Sequence, residues 1–354
     1  MNVVFVIHDL KGNGAERVVL NLARLFVVQK AKVSIVVLKD QIDFPVPSGV
    51  SIFTFQKRLV RSIPRSLRGR IVSPFLDRFI IKRCGVPSLV ISNLAPADRL
   101  MAFSDLPNVR LLIHSVVSEE MVRVHSDRSN KELEERLSLY RRKPLLAISE
   151  GVKQDLTELL PGKSDIRHIY NPVDTERVKE AAKALLPKNC PEKYILHVGK
   201  FNSWKRQSFL LSAYAAADIE LPLVFVGEGK LLNEVQDQVR DLGIKHKVHF
   251  LGFQSNPYPI IANASLLTLS STFEGLSMVL LEALVLGTPA ISTNCPCGPK
   301  EILPKSHLTP VHDLDGLTQL LKHVCKDPSK WVVDLPEKFQ SEAIMNQYLE
   351  IARP

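Results

Sequence analysis

The chain has 354 residues, 45% of them hydrophobic and 23% charged, with a net charge of +9. This balance excludes a disordered or fibrous chain, and at about 150 residues per domain it predicts two cores. No run of about 18 apolar residues occurs, so no transmembrane helix is expected.

The first residues, Met1 to Asp9, lack a basic start and reach an acid after a short apolar run. They read as an opening strand, Val3–Ile7, and not as a secretory leader. Next comes Gly12-Asn13-Gly14-Ala15-Glu16-Arg17, leading into a helix predicted over Ala15–Gln29. Glycines there let backbone approach a ligand, and the helix start offers unpaired N–H groups to an anion. Arg17 stands where a dinucleotide fingerprint needs glycine, so that fingerprint is excluded. Strands are predicted over Lys32–Leu38 and Ser51–Phe55. Between Lys57 and Arg83, nine basic residues face Asp77 alone, so this window carries eight of the nine net positive charges. Leu59, Ile63, Leu67, Ile71, Phe75 and Ile80 are interleaved with them. A basic, apolar-studded segment suits an anionic membrane surface. A nucleic-acid partner and a merely solvated basic face are its competitors. Further strands follow over Leu89–Ser92, Val109–His114, Leu145–Ile148 and Ile166–Ile169, with a helix over Glu150–Leu160.

The prolines and charges of residues 183–193 make the best linker. Beyond it the rhythm repeats, with strands at Tyr194–Val198, Leu221–Val226, Val248–Leu251, Leu266–Leu269 and Ala290–Thr293. Helices are predicted over Arg206–Ala216, Leu231–Leu242, Met278–Leu286 and Asp315–Cys325. Alternating strands and helices imply an α/β chain of parallel sheets, whose ligands sit beyond the strand C-termini. Gly199-Lys200-Phe201-Asn202-Ser203-Trp204-Lys205-Arg206 follows the first strand of this half, and its two lysines can clamp a diphosphate. An ordinary solvated basic loop is the alternative. In Met278–Leu286 every residue except Glu282 is apolar, so the helix should be buried nearly all round. A buried carboxylate there needs donors, which a pair of sugar hydroxyls or a salt bridge would supply. Glu274 adds a second carboxylate, and the amides of Gly275, Leu276 and Ser277 form a second helix start. The five cysteines, Cys84, Cys190, Cys295, Cys297 and Cys325, are scattered and fit a reduced cytosolic chain. Cys295-Pro296-Cys297 has no second pair beside it to complete a zinc site.

The spacing of Glu274 and Glu282, the upstream glycine loop, Gly199-Lys200 and Lys205 together resemble a retaining GT-B glycosyltransferase of family four. So do Ala147-Ile148-Ser149-Glu150-Gly151-Val152, Tyr170-Asn171-Pro172-Val173-Asp174 and Cys297-Gly298-Pro299-Lys300-Glu301-Ile302-Leu303. The last is similar to bacterial members that build surface polysaccharides and lipid-linked oligosaccharides. The resemblance implies two Rossmann-like domains facing across an interdomain cleft. Residues 1–182 would bind acceptor and 194–335 the nucleotide sugar, with 336–354 a helix returning to the first domain. Phe339, Ile344, Tyr348 and Ile351 are its expected anchors. It further implies that Lys200 and Lys205 hold the donor diphosphate, Lys200 standing where arginine is commoner. Glu282 would bind the ribose and Glu274 the transferred sugar. Gly12, Asn13 and Gly14 would approach the phosphates, Gly252 and Phe253 the base, and His114 the donor sugar or acceptor. Catalysis is thereby assigned to Glu274, His114 and Lys205, with a UDP-sugar donor, a lipid-linked or glycan acceptor, and no metal, cofactor or nucleic acid. The place of work would be the cytoplasmic face of the membrane. A nucleotide-sugar 2-epimerase of the same architecture, a basic nucleic-acid-binding protein and a catalytically silent sugar-binding subunit are the alternatives. Arg206 replaces the glycine common after the motif lysine.

Overall fold

The computed structural model describes residues 1–11, 14–55, 63–122 and 127–353. The chain divides into two compact units, Met1–Pro172 with Ser341–Pro354, and Val173–Gln340.

The first unit runs β1 (Asn2–Ile7), α1 (Gly14–Val28), β2 (Lys32–Val37), β3 (Val50–Thr54), α2 (Arg65–Cys84) and β4 (Leu89–Asn93). It continues through α3 (Ala95–Met101), β5 (Val109–Ile113), α4 (Val117–Val122), α5 (Asp127–Tyr140), β6 (Leu145–Ala147), α6 (Glu150–Leu159) and β7 (Ile166–His168). Its seven strands are parallel, in the order β3-β2-β1-β4-β5-β6-β7. The inner strands are covered on both faces, so β1 and β4 read as continuous apolar runs without alternation. Helix α1 buries Val18, Val19, Leu22, Ala23 and Phe26, the stripe that a period of about 3.6 residues demands.

The second unit comprises α7 (Thr175–Ala181), β8 (Ile195–Val198), α8 (Gln207–Ala217), β9 (Leu223–Val226), α9 (Leu232–Asp241) and β10 (Val248–Phe250). Then come α10 (Tyr258–Ala262), β11 (Leu266–Leu269), α11 (Met278–Val285), β12 (Ala290–Thr293), α12 (Pro299–Ile302), β13 (Leu308–Thr309) and α13 (Leu314–Lys326). Six parallel strands lie in the order β10-β9-β8-β11-β12-β13 around a core that includes Phe201, Leu210, Leu211, Tyr214 and Phe225.

Helix α14 (Ser341–Ala352) belongs to the first unit. Its Tyr348 ring packs edge-on against Phe26 of α1, with centroids 5.9 Å apart, and Asn108 Nδ2 donates to Ile351 O at 2.7 Å. Ile344, Met345, Tyr348 and Ile351 are buried, and burying side chains of this size contributes about 1.5–3 kcal/mol each.

The division between units falls at Pro172–Val173, not in residues 183–193, which lie inside the second unit. The reason is local. Asp174 caps α7 by accepting from Arg177 N at 3.1 Å, α7 packs on α10 and α11, and Asn256 Nδ2 donates to Ala181 O at 2.8 Å. The chain's two crossings between the units are marked by a parallel bridge pairing Val173 with Gln340. The elements that escape the sequence reading are α2, α3, α4, α5, α7, α10, α12 and β13. Strand β13 has only two residues, too few for a periodic signal. Helix α2 hides behind its charges, yet it buries Val72, Leu76, Ile80 and Cys84 at four-residue spacing.

Candidate active site

In the second sheet the strand order reverses between β8 and β11, and open parallel sheets bind ligands beyond the strand ends at such a point. The loop leaving β8 carries Lys205, and the loop leaving β11 carries Glu274. They are tied together: Thr272 N donates to Trp204 O at 2.8 Å, and Ser270 Oγ to Lys205 O at 2.7 Å. Within the first loop, Lys205 N donates to Asn202 Oδ1 at 3.0 Å. The result is a mostly buried ion pair, Lys205 Nζ to Glu274 Oε1 at 2.5 Å, with side chains 16% and 11% exposed. Ser271 Oγ donates to the same oxygen at 2.6 Å. Gly298 closes over this loop at φ 86°, where a Cβ would lie 3.2 Å from Glu274 Cβ.

Backbone meets backbone at the neighbouring strand ends. A Cβ on Gly227, at φ 139°, would lie 2.1 Å from Gly199 O, and one on Gly229 would lie 2.2 Å from Phe201 O. Gly227 N donates to Gly252 O at 2.9 Å, and Phe201 N to Glu228 O at 2.9 Å. Gly227-Glu228-Gly229 was missed from sequence; its signal was glycine-x-glycine immediately after a strand. Gly252 and Phe253 lie just beyond β10, Phe253 with its ring exposed. Lys200 is exposed, and its carbonyl accepts from Gln207 Nε2 at 3.1 Å.

Gly275, Leu276 and Ser277 lead into α11. Ser277 is 3% exposed and its Oγ has no hydrogen-bond partner among the described residues, an orphaned hydroxyl at a helix start. A buried polar group without a partner costs about 1–3 kcal/mol, so this position favours an incoming acceptor. Helix α11 is less enclosed than expected: Leu280 to Leu284 are buried, whereas Met278, Val279 and Val285 are half-buried. Buried Glu282 finds a donor in the protein, Tyr258 OH at 3.3 Å from its Oε1. His197 on β8 is fully buried. Its Nδ1 donates to Thr268 O at 2.9 Å and its Nε2 has no partner among the described residues. Burial, aided by the Lys205 charge, pushes its pKa down to about 3. Neither His197 nor Tyr258 stands out in sequence, because each sits inside an apolar run.

Arg206 adopts the left-handed conformation, φ 48° and ψ 47°, which favours glycine. Its guanidinium covers the Phe209 ring at 4.0 Å and donates to Val311 O at 2.6 Å, offsetting the strain.

In the first unit, Gly14 opens α1 with nothing within 4 Å of a would-be Cβ. Gly12 and Asn13 lie outside the described residues. His114 follows β5, with Nε2 3.0 Å from Asn93 Oδ1, and burial lowers its pKa to about 4. Elsewhere in this unit, Asp98 on α3 is 1% exposed and accepts from Ser92 Oγ at 2.7 Å. Burial raises the Asp98 pKa to about 7 against the pull of Ser92, Arg136 and Arg99. His114 and the Lys205–Glu274 pair belong to different units.

Helix α2 presents an outer face of Leu67, Ile71 and Phe75, 45%, 44% and 63% exposed, continued by exposed Arg78 and Lys82. Of the basic window, residues 57–62 lie outside the described residues. Among the described residues no helix is long and apolar enough to cross a membrane. A cavity of about 810 Å³ lies elsewhere in the second unit, lined by residues such as Asp218, Leu308 and His323 and by none of the predicted site. The one Asp-x-Asp triplet in this half, Asp313-Leu314-Asp315, is a helix start: Asp313 caps α13 by accepting from Gly316 N at 2.8 Å.

Two family models match the chain. Residues 12–177 match the family model "Glycosyltransferase Family 4", and residues 178–344 match "Glycosyl transferases group 1". The chain is 28% identical over 334 residues, 91% of its length and 89% of the relative's, to a Campylobacter jejuni enzyme. That enzyme is named N-acetylgalactosamine-N,N'-diacetylbacillosaminyl-diphospho-undecaprenol 4-alpha-N-acetylgalactosaminyltransferase. It is 35% identical over 164 residues, 45% of each chain, to the lipopolysaccharide 1,6-galactosyltransferase of Salmonella typhimurium. Among solved structures, Anabaena Alr3699/HepE in complex with UDP superposes with a TM-score of 0.76 at 19% identity, covering 99% of both chains. Fold and comparisons define a glycosyltransferase of the two-domain GT-B class. The chain belongs to its family-four type.

Proposed function

We propose that this glycosyltransferase is a retaining, metal-independent enzyme. In this reading it moves a hexose or N-acetylhexosamine from a UDP-linked donor to a lipid-linked, lipopolysaccharide or capsule glycan. The observation that carries the reading is the Lys205–Glu274 pair beside the orphaned Ser277 hydroxyl, all at the switch point of the second sheet. Lys205, Lys200 and the amides at the start of α11 supply positive potential where a departing diphosphate gathers charge, the role a metal plays elsewhere. Glu274 contacts the transferred sugar, Glu282 the ribose, and Gly252 and Phe253 the base. Gly14 faces the phosphates, and His114 a sugar hydroxyl. The leaving phosphate oxygen takes the acceptor's proton on the same face of the sugar. The UDP in the Anabaena structure supports the donor class, and the acceptors named for the Campylobacter and Salmonella enzymes support the acceptor class.

The outer face of α2 supports a cytoplasmic place of work on an anionic membrane, because exposed apolar and basic groups share one side of the helix. The test is incubation of the purified chain with a panel of nucleotide sugars in EDTA, with product configuration read by NMR. Turnover of a UDP-sugar with retained configuration is the expected result. Inverted product, or activity only with added metal, defeats it. Vesicle sedimentation checks the membrane arm: binding should need anionic lipid and weaken with salt.

A further inference from the structure

Asn93 is the last residue of β4, at the switch point of the first sheet, in register with Ile7 of β1 and Leu112 of β5. It is completely buried. Its Nδ2 donates to Ile91 O at 3.0 Å and to Val6 O at 3.5 Å. Carbonyl oxygens only accept, so the amide nitrogen must face them, and Oδ1 must face the other way. There it meets His114 Nε2 at 3.0 Å. An amide oxygen cannot donate, so the proton of that hydrogen bond belongs to the imidazole. Burial keeps the ring neutral at ordinary pH, so it carries a single proton. With that proton on Nε2, Nδ1 is left with a bare lone pair. Among the described residues Nδ1 has no partner in the chain, and His114 is half-buried, not sealed.

We infer that Asn93 is a positioning residue that locks His114 in its Nε2–H tautomer, so that Nδ1 accepts a hydrogen bond from a sugar hydroxyl of the substrate. The backbone carbonyls of β1 and β4 orient the asparagine, the asparagine orients the histidine, and the histidine selects a donor group on the ligand. A tautomer set by the bond at the other ring nitrogen is the usual way a neutral histidine is given one role. The inference rests on the glycosyltransferase reading for the identity of the hydroxyl, but not for the tautomer.

The experiment is histidine 15N NMR of the full chain at pH 7.5, with His114 assigned by its loss in His114→Gln. The expected spectrum has a pyrrole-type Nε2 and a pyridine-type Nδ1 for His114. An Nδ1–H form, or an even mixture, overturns the proposal whatever the enzyme does. In Asn93→Leu the two tautomers should mix and kcat/KM should fall about tenfold, the size of one lost hydrogen bond. The wild-type spectrum decides the tautomer even if the leucine variant does not fold. Unchanged kcat/KM in a folded Asn93→Leu overturns the proposal. The source of the hydroxyl is read separately. A KM rise for the UDP-sugar in donor hydrolysis marks the transferred sugar, and a rise confined to the acceptor marks the acceptor. A chain that binds no nucleotide sugar defeats the functional reading and leaves the tautomer result standing.

Discussion

The two sheets end in opposite chemistry at or next to their switch points. Beyond β8 and β11 of the second unit lie an ion pair, Lys205–Glu274, and the Ser277 hydroxyl, unpartnered among the described residues. Beyond β4 and β5 of the first unit lies a neutral pair, Asn93 and His114. In the same unit, burial raises the Asp98 pKa to about 7. Both follow one topological rule, that an open parallel sheet offers its ligand site where the strand order reverses. The side chains set there decide what is bound. Fixed charge suits a diphosphate, whose own charge grows in the transition state, whereas uncharged, oriented hydrogen-bonding groups suit hydroxyls and carry no net electrostatic demand.

The sharpest way to break this contrast is to remove one member from each side. Lys205→Ala should lower kcat at least a hundredfold, the usual effect of losing one preorganised donor of about 3 kcal/mol. His114→Ala should lower kcat/KM only about tenfold, the scale of a neutral hydrogen bond. Steady-state kinetics with the same donor decide it, and equal losses would end the distinction. From the sequence alone, Lys205→Ala is expected to have little effect on folding. The structure corrects this: the substitution strands Glu274, 11% exposed, with Ser271 as its remaining donor, and should destabilise by about 1–3 kcal/mol. Glu274→Gln in the same chain should recover part of that stability.

Much of the contrast was legible before any coordinates. The strand ends, the two lysines and the two glutamates follow from apolar runs interrupted by charge, because inner strands of a parallel sheet admit few polar residues. What escaped was held by tertiary contact. Gly227 is required because the Gly199 carbonyl occupies the place of a Cβ, a fact about a different strand. Tyr258 serves Glu282 from another helix, 24 residues away. The boundary at Pro172 was displaced because α7 packs on α10 and α11, which no local composition announces. Asn93 lies just past the predicted strand Leu89–Ser92, and only its opposed hydrogen bonds reveal an orientation.

A second effect, smaller and dependent on pH, separates the buried acid of the first unit from the buried histidines of both. Asp98 is held near 7 in the fold against 3.8 when exposed, so it gains its proton on folding and works against the native state as pH rises from 3.8 through 7. His114 and His197, lowered to about 4 and about 3 from 6.5, do the reverse. Their stabilisation is complete above pH 6.5 and drains away as pH falls toward 4 and then 3. Asp98→Asn keeps an acceptor for Ser92 and removes the charge. It should raise the first unit's stability at pH 8 by about 1–2 kcal/mol, equivalent to about 2–8 °C in Tm. At pH 4 the gain should vanish, and the histidine-driven decline on the acid side should steepen. Thermal melts across that range check it; a gain equal at both ends would assign the effect to packing and not to ionisation.

The smallest effect tests how the charged side of the second unit is built. Arg206 occupies a left-handed conformation directly after Lys205, and a residue with a Cβ pays about 1 kcal/mol there relative to glycine. It recovers this through the Phe209 ring and the Val311 carbonyl. Arg206→Ala keeps the strain and loses both contacts, so it should destabilise by about 1–2 kcal/mol. Arg206→Gly loses the same contacts but relieves the strain, so it should fall short of wild type by about 1 kcal/mol less than alanine does. The ordering is the test, read by denaturant midpoints at constant slope. Alanine equal to or better than glycine would mean that the left-handed turn is not what sets this position, and that Lys205 is held in place by Asn202 and Ser270 alone.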